Sequence, residues 1–326
     1  MRYSFLLLLI LTFSQYSCNK SNGERYLPKS VGGINSLSII IENDLWNGEI
    51  GDELRKHFAA PVDGLPWDEP LFSINQIPPV VFTDFVRNSR HIIVVNKDIT
   101  SFGGIKNEVY ARPQKIAYFT GENEEEIIQL IQKHAPDIIN EFKDHELKEK
   151  QQRITRSLNK ETALKEKLGI SLTMPSVYKI AKEENNFFWI DREIPKGSMN
   201  ILAYEIPLHS IPSDSTQIER IIAMRDSIGK KYVPGPVEGS YMATEKAYAP
   251  YLFETEIAGR PSLETKGMWD VNGYFMAGPF INYIVEDIPN NRLLVIEGFT
   301  FAPSTNKRDY MFELEAILRS LRFETK

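Results

Sequence analysis

The longest apolar alternation in the chain lies near its C-terminus, where Leu293, Val295, Phe299 and Phe301 fall on one side and Leu294 and Ile296 on the other. With both sides apolar, the pattern predicts a central strand covered on two faces. Asn290-Asn291 supplies a hairpin turn back to the run Phe280–Glu286, and Gly278-Pro279 predicts a break or bulge in that partner strand. Met311, Leu314, Leu318 and Leu321 then recur at helical spacing, so a closing helix is expected over one face.

Upstream, short β-branched runs at Leu37–Ile41, His91–Val95 and Gln114–Phe119 predict buried strands. A helix capped by Asn43 or Asp44, with Leu45, Ile50, Leu54 and Phe58 facing inward, separates the first two. Pro61–Pro79 is rich in proline and reads as a long ordered loop. A further helix opens with acidic residues after Gly121 and repeats Ile127, Ile131, Ile138 and Phe142, with Pro136 expected to kink or split it. From Lys143 to Lys167 both charge signs mix with sparse apolar residues, which reads as a solvated helical connector. Strand-like runs follow at Gly169–Met174, Val177–Ala181, Asn186–Ile190 and Met199–Ile206, then a helix over Ser215–Ile228 with Ser213 or Asp214 as cap and Gly229 as stop. The expected fold is α+β in two domains. Residues 33–142 form an N-terminal ferredoxin-like α/β layer, 143–168 the charged helical connector, and 169–326 a mostly antiparallel sheet covered by helices.

Composition adds limits. The 326 residues are enough for two cores, 42% hydrophobic and 25% charged content is ordinary for a globular chain, and a net charge of −6 without a basic stripe excludes a nucleic-acid partner. The N-terminus changes the picture more. Arg2 precedes an apolar run from Phe5 to Phe13, too short to span a bilayer, and Ser17 precedes Cys18, the single cysteine. The pattern resembles a bacterial lipoprotein signal. It implies removal of residues 1–17, lipidation of Cys18, a polar tether over 18–32, and a membrane partner through the lipid. The absence of Asp after the cysteine and of an acidic cluster there resembles sorting to the outer membrane, facing the periplasm.

Three features carry candidate chemistry. Arg225 lies on the apolar face of its helix beside Lys230 and Lys231, either with a packed stem and a head at the rim or as a clamp for an anion. The loop from Tyr232 to Met242 alternates Gly and Pro among aromatics; it is either a structural crossover or one wall of a groove with Tyr241, Met242 and Trp269 as apolar contacts. Lys307 and Arg308 open the last helix, where the dipole disfavours cations. The pair is either a salt-bridged entrance capped by Asn306 or a site for phosphate, sulfated sugar or carboxylate.

The runs Arg225-Asp-Ser, Tyr232-Val-Pro-Gly-Pro, Gly239-Ser-Tyr-Met, Phe275-Met-Ala-Gly-Pro-Phe280 and Lys307-Arg-Asp together resemble an uncharacterised bacterial lipoprotein family, domain of unknown function 4837. That resemblance implies no activity. More faintly, the layout of the second domain resembles photosystem-subunit-P-like and Mog1-like α/β/α modules, which implies an accessory binding role. Motifs for a serine hydrolase elbow, P-loop, dinucleotide site and zinc protease are absent, and His57, His91, His134, His145 and His209 lack metal-ligand spacing, so no metal or cofactor is expected. Asp68, Glu69 and Asp84 have no feature that separates them from solvated loop charges. The leading expectation is a lipid-anchored module binding a protein, peptide or glycan partner; its competitor is an envelope hydrolase with a site between the two domains.

Overall fold

A computed structural model describes residues 26–324; the expected signal segment and Cys18 lie outside the described residues. Two sheets organise the chain. The first contains β1 (Ser36–Ile40), β2 (Ser73–Ile77), β3 (His91–Lys97), β4 (Phe102–Asn107) and β5 (Lys115–Gly121), in the order β2-β1-β3-β5-β4. Strands β2, β1, β3 and β5 run parallel, and only β4 is antiparallel. The sheet is therefore mixed and not ferredoxin-like. Ferredoxin-like layers are antiparallel, and an apolar run of four or five residues does not encode strand direction. The unforeseen member is β2, a polar, half-exposed edge strand inside the stretch expected to be loop. It follows β1 through helices α1 (Asn43–Asn47) and α2 (Glu49–Phe58) as a parallel crossover.

Helix α3 (Glu124–Ile154) is one helix of 31 residues, and Pro136 does not split it. Asn123 caps it by accepting from the Glu126 amide, and three glutamates occupy the first turn where the dipole favours them. Its first half packs Ile127, Ile131, Ala135, Ile138 and Phe142 on one face of the mixed sheet, beside α2. The opposite face is covered by Phe82, Val109 and Tyr110 from loops, packed on Ile40, Ile92 and Ile116. The second half of α3 is not the solvated connector expected. Glu146, Leu147, Glu149 and Ile154 are buried, because this half lies against the closing helix.

The second sheet is antiparallel, in the order β10-β12-β13-β14-β9-β8-β7, with β11 also paired to β12. Its strands are β7 (Lys179–Glu184), β8 (Phe187–Ile194), β9 (Gly197–Pro207), β10 (Tyr241–Thr244), β11 (Tyr251–Ile257), β12 (Arg260–Asn272), β13 (Tyr274–Asp287) and β14 (Arg292–Phe301). A small pair, β6 (Ile170–Ser171) with β15 (Arg322–Phe323), ties the end of the chain back to the sheet's start. Short helix α4 (Ala163–Leu168) ends on Gly169, whose φ of 63° suits glycine.

β14 sits in the middle with both faces buried, as its alternation requires. Leu294 and Ile296 meet Leu314, Ile317 and Leu318 of α6 (Arg308–Leu318), while Leu293, Val295 and Phe299 join the core under α5 (Gln217–Tyr232). Asn291 takes the left-handed turn position of the β13–β14 hairpin. Gly278-Pro279 does not interrupt β13 against β12; the register shift falls at Asp270/Val271, and pairing to β14 starts only at Phe280. Gly229 lies inside α5 and does not stop it. A Cβ there would stand 2.0 Å from the Met242 carbonyl oxygen, so glycine permits the close approach of helix and β10.

Candidate functional site

Arg225 projects from α5 onto the sheet and is wholly buried. Its Nε and Nη2 each donate to Glu297 of β14 at 2.7 Å, and Nη1 donates to Thr244 Oγ1 at 2.7 Å. Asn282 Nδ2 donates to the same carboxylate at 2.9 Å, and the guanidinium stacks 3.6 Å from the Phe280 ring centre. The head group is neither at the rim nor open to an anion. It closes a bidentate pair that locks α5 to the sheet. Lys230 is exposed and stands 5.7 Å from the Tyr241 ring. Tyr232 is buried and stacks on Phe187 at 4.3 Å.

At the start of α6 the expected anion is present, and it belongs to the protein. Glu69, buried in the loop before β2, accepts from the Lys307 amide at 2.7 Å and the Arg308 amide at 2.9 Å. Its carboxylate therefore caps the helix in place of Asn306 and offsets the positive dipole end. Arg308 turns back on the same loop, donating to the Pro70 carbonyl at 2.9 Å and Ser73 Oγ at 3.1 Å. Lys307 Nζ donates to the Thr305 carbonyl at 2.8 Å and lies 3.5 Å over the Trp67 ring. Burial lowers its pKa, with Glu69 opposing. The corner joins the two sheets; its anion position is taken.

The Tyr232–Met242 loop does wall a cleft. Val233–Pro236 and Met242 form one side, and Trp189, Trp269, Phe299, Phe301 and Met276 supply the apolar surface around a volume of about 260 Å³. Ser198 and Asn200 of β9 are the polar lining. Trp189 Nε1 donates to Asn200 Oδ1 at 2.9 Å, and Asn200 Nδ2 donates to Ser198 Oγ at 3.0 Å. Trp269 packs edge-on against Phe299 at 5.5 Å, and its buried Nε1 meets no acceptor among the described residues. An indole N–H without a partner is a standing cost, since buried donors are nearly always satisfied. Met242 and Trp269 are thus in the cleft, while Tyr241 and Tyr232 stand outside its lining.

Two polar clusters were invisible in the sequence. Between α3 and the second sheet, a recess of about 390 Å³ is lined by Lys143, Asp144, Glu264, Lys266, Glu315 and Arg319, among others. Tyr283 donates to Glu264 Oε2 at 2.6 Å and Lys266 Nζ lies 2.9 Å from Oε1. Burial pushes the Glu264 pKa up, but Lys266 and Tyr283 outweigh it and hold the carboxyl below its usual range. Under α3, Glu146 takes Arg90 at 3.0 and 3.1 Å, His91 Nδ1 lies 2.9 Å from the same carboxylate, and His91 Nε2 is 2.8 Å from His145 Nδ1. Both histidines are held neutral, first by burial; His145 is lowered to about 4. Separations of 54 and 56 positions carry no local signal, so the sequence offered nothing to find this cluster.

A family model described as domain of unknown function DUF4837 matches residues 157–320, and a second, domain of unknown function DUF8532, matches 30–155. Among solved structures, the crystal structure of LpqN, described as involved in cell envelope biogenesis of Mycobacterium tuberculosis, is similar at 11% identity. The match covers 48% of this chain and 83% of that one at a TM-score of 0.28. No curated protein matches.

Proposed function

This chain belongs to the DUF4837 family, whose description assigns no activity, and we propose that it is a lipid-anchored envelope protein that binds a partner rather than turning over a substrate. The observation that carries the reading is the aromatic cleft itself, walled by Trp189, Trp269, Phe299 and Phe301 with Asn200 and Ser198 along one edge. Flat aromatic faces and the polar Asn200/Ser198 edge suit a ligand that offers ring or extended apolar faces and hydrogen-bonding groups: a glycan, or an extended peptide. The anchor at Cys18 and an outer-membrane, periplasm-facing address complete the proposal, resting on the N-terminal pattern.

A hydrolase between the two sheets is less well supported. Its carboxylates would come from the recess at Glu264 and Glu315, yet Glu264 is held ionised by Lys266 and Tyr283 and has no proton to donate.

Intrinsic fluorescence tests the reading directly. In a Trp46→Phe/Trp67→Phe background, Trp189 and Trp269 report on the cleft alone. Titration with peptidoglycan fragments, neutral oligosaccharides and proline-containing peptides is expected to give a saturable change with one class. Phe301→Ala, at a half-buried position, should abolish it while the melting temperature stays near wild type. A flat response to all three classes overturns the proposal.

A further inference from the structure

A second surface, on the other sheet, points to the membrane itself. Between β2 and β3 the chain makes two 3₁₀ turns, Pro79–Val81 and Asp84–Asn88. Phe82 turns inward, packing edge-on against Tyr110 at 5.7 Å over the mixed sheet. Its neighbours turn outward: Val80 is 84% exposed, Val81 51% and Phe85 70%. Amide-to-carbonyl bonds from Phe82 to Pro79 (3.0 Å), Val86 to Thr83 (3.0 Å) and Ser89 to Val86 (3.2 Å) hold the loop in shape. Asp84 adopts a φ of 38°, which non-glycine residues rarely take. Three large apolar side chains are thus held in water by a defined backbone, the opposite of what burial favours.

The chain enters the fold at the same place. Val31 donates to the Asn88 carbonyl at 2.8 Å, Arg90 donates back to Val31 at 3.0 Å, and Ser30 and Arg112 bond Arg112 and Pro28. Cys18 lies ten positions before Pro28, so a lipid on it is at most about 35 Å from this edge even with the chain fully extended. Arg87, which donates to the Phe82 carbonyl at 3.0 Å, offsets Asp84 within the loop; at the chain entry Lys29 bridges to Arg112, itself paired with Glu108 at 2.7 Å. The surface thus carries no excess of negative charge to repel an anionic headgroup layer.

We propose that Val80, Val81 and Phe85 seat the protein on the bilayer to which its N-terminus is anchored, fixing which way the molecule faces. The inference rests on lipidation of Cys18 for bringing the surface close. Once anchored, the loop need supply only a bias in orientation, because tethering already holds it at high effective concentration near the membrane. An apolar contact too weak to recruit a free protein is enough for that.

The single cysteine makes the test clean. Unlipidated chain beginning at Cys18 is coupled through that thiol to maleimide lipid in vesicles of mixed neutral and anionic phospholipid containing brominated acyl chains. Phe85→Trp is expected to lose at least half of its added fluorescence to the bromines. Phe275→Trp, at a fully exposed aromatic in the β12–β13 hairpin, should lose little. Val80→Asp/Val81→Asp in the Phe85→Trp protein should restore most of the signal without changing the melting temperature. Equal or reversed quenching of the two tryptophans overturns the proposal. So does a vesicle-independent dimer dissolved by Val80→Asp, which would assign the patch to a second copy. Because the thiol is coupled chemically, these outcomes do not depend on lipidation in cells. Fatty-acid labelling lost in Cys18→Ser tests that reading separately.

Discussion

Each sheet buries one arginine against one glutamate with two hydrogen bonds, and the two pairs differ in what surrounds them. Arg225–Glu297 is closed: Thr244, Asn282 and the Phe280 ring complete it, and the neighbouring Tyr204 is kept protonated, its pKa raised first by burial and then by Glu297. Arg90–Glu146 is open at one end. Its carboxylate continues into His91 and then half-buried His145, and its arginine reaches the Gly33 carbonyl at 2.6 Å, holding the chain entry to α3. The same pair chemistry is a permanent fastener in one setting and a pH-sensitive one in the other. Partners decide this: the first pair ends in neutral hydrogen-bonding and aromatic groups, whereas the second continues into two histidines that burial holds below the ordinary imidazole range, so they take up protons only as the pH falls.

Breaking the closed pair should cost most. Glu297→Ala leaves Arg225 buried without its counter-charge, and a loss of about 3–5 kcal/mol in unfolding free energy is expected by urea denaturation. The double change Arg225→Met/Glu297→Leu should recover most of it, since removing both charges removes the desolvation penalty. Glu69→Ala removes the cap of α6 and the carboxylate joining the two sheets, with an expected loss of about 1–2 kcal/mol. Glu69→Gln should retain part of it by accepting one amide. The open cluster gives a pH effect. With His145 lowered to about 4 from 6.5, the unfolded chain binds more protons in that interval, so stability is full above about 6.5 and falls as pH drops towards 4. His145→Gln should reduce this slope in pH-dependent melts. Glu297 variants should leave its shape alone. The smallest stability effect is expected at the cleft, where Phe301→Ala should alter ligand response more than melting.

Much of the second sheet was legible. The alternation in β14 placed its faces correctly, and the Met311-Leu314-Leu318 spacing placed α6, because side-chain period and burial are read residue by residue. Around the cleft, Met242 and Trp269 were legible as apolar contacts beside the Pro/Gly loop; Trp189, Asn200 and Phe301 were not, since they come from strands brought together only by sheet pairing. Strand direction in the first sheet, and strand β2 itself, escaped a pattern that records polarity but not neighbours. The charged run after Lys143 misled for the same reason. Glu146 and Glu149 look solvated until Arg90 and α6 are set against them.

The sequence by itself determined the periodic helices and the doubly apolar central strand, both of which depend on residues adjacent along the chain. The tertiary structure alone decided that Arg225 is a fastener, that Glu69 occupies the anion position at Lys307 and Arg308, and that an aromatic cleft opens beneath the loop at Val233–Pro236. Each of those depends on charge or shape meeting its complement from 19 to 239 positions away, and a charge's role is set by what desolvates it and what answers it.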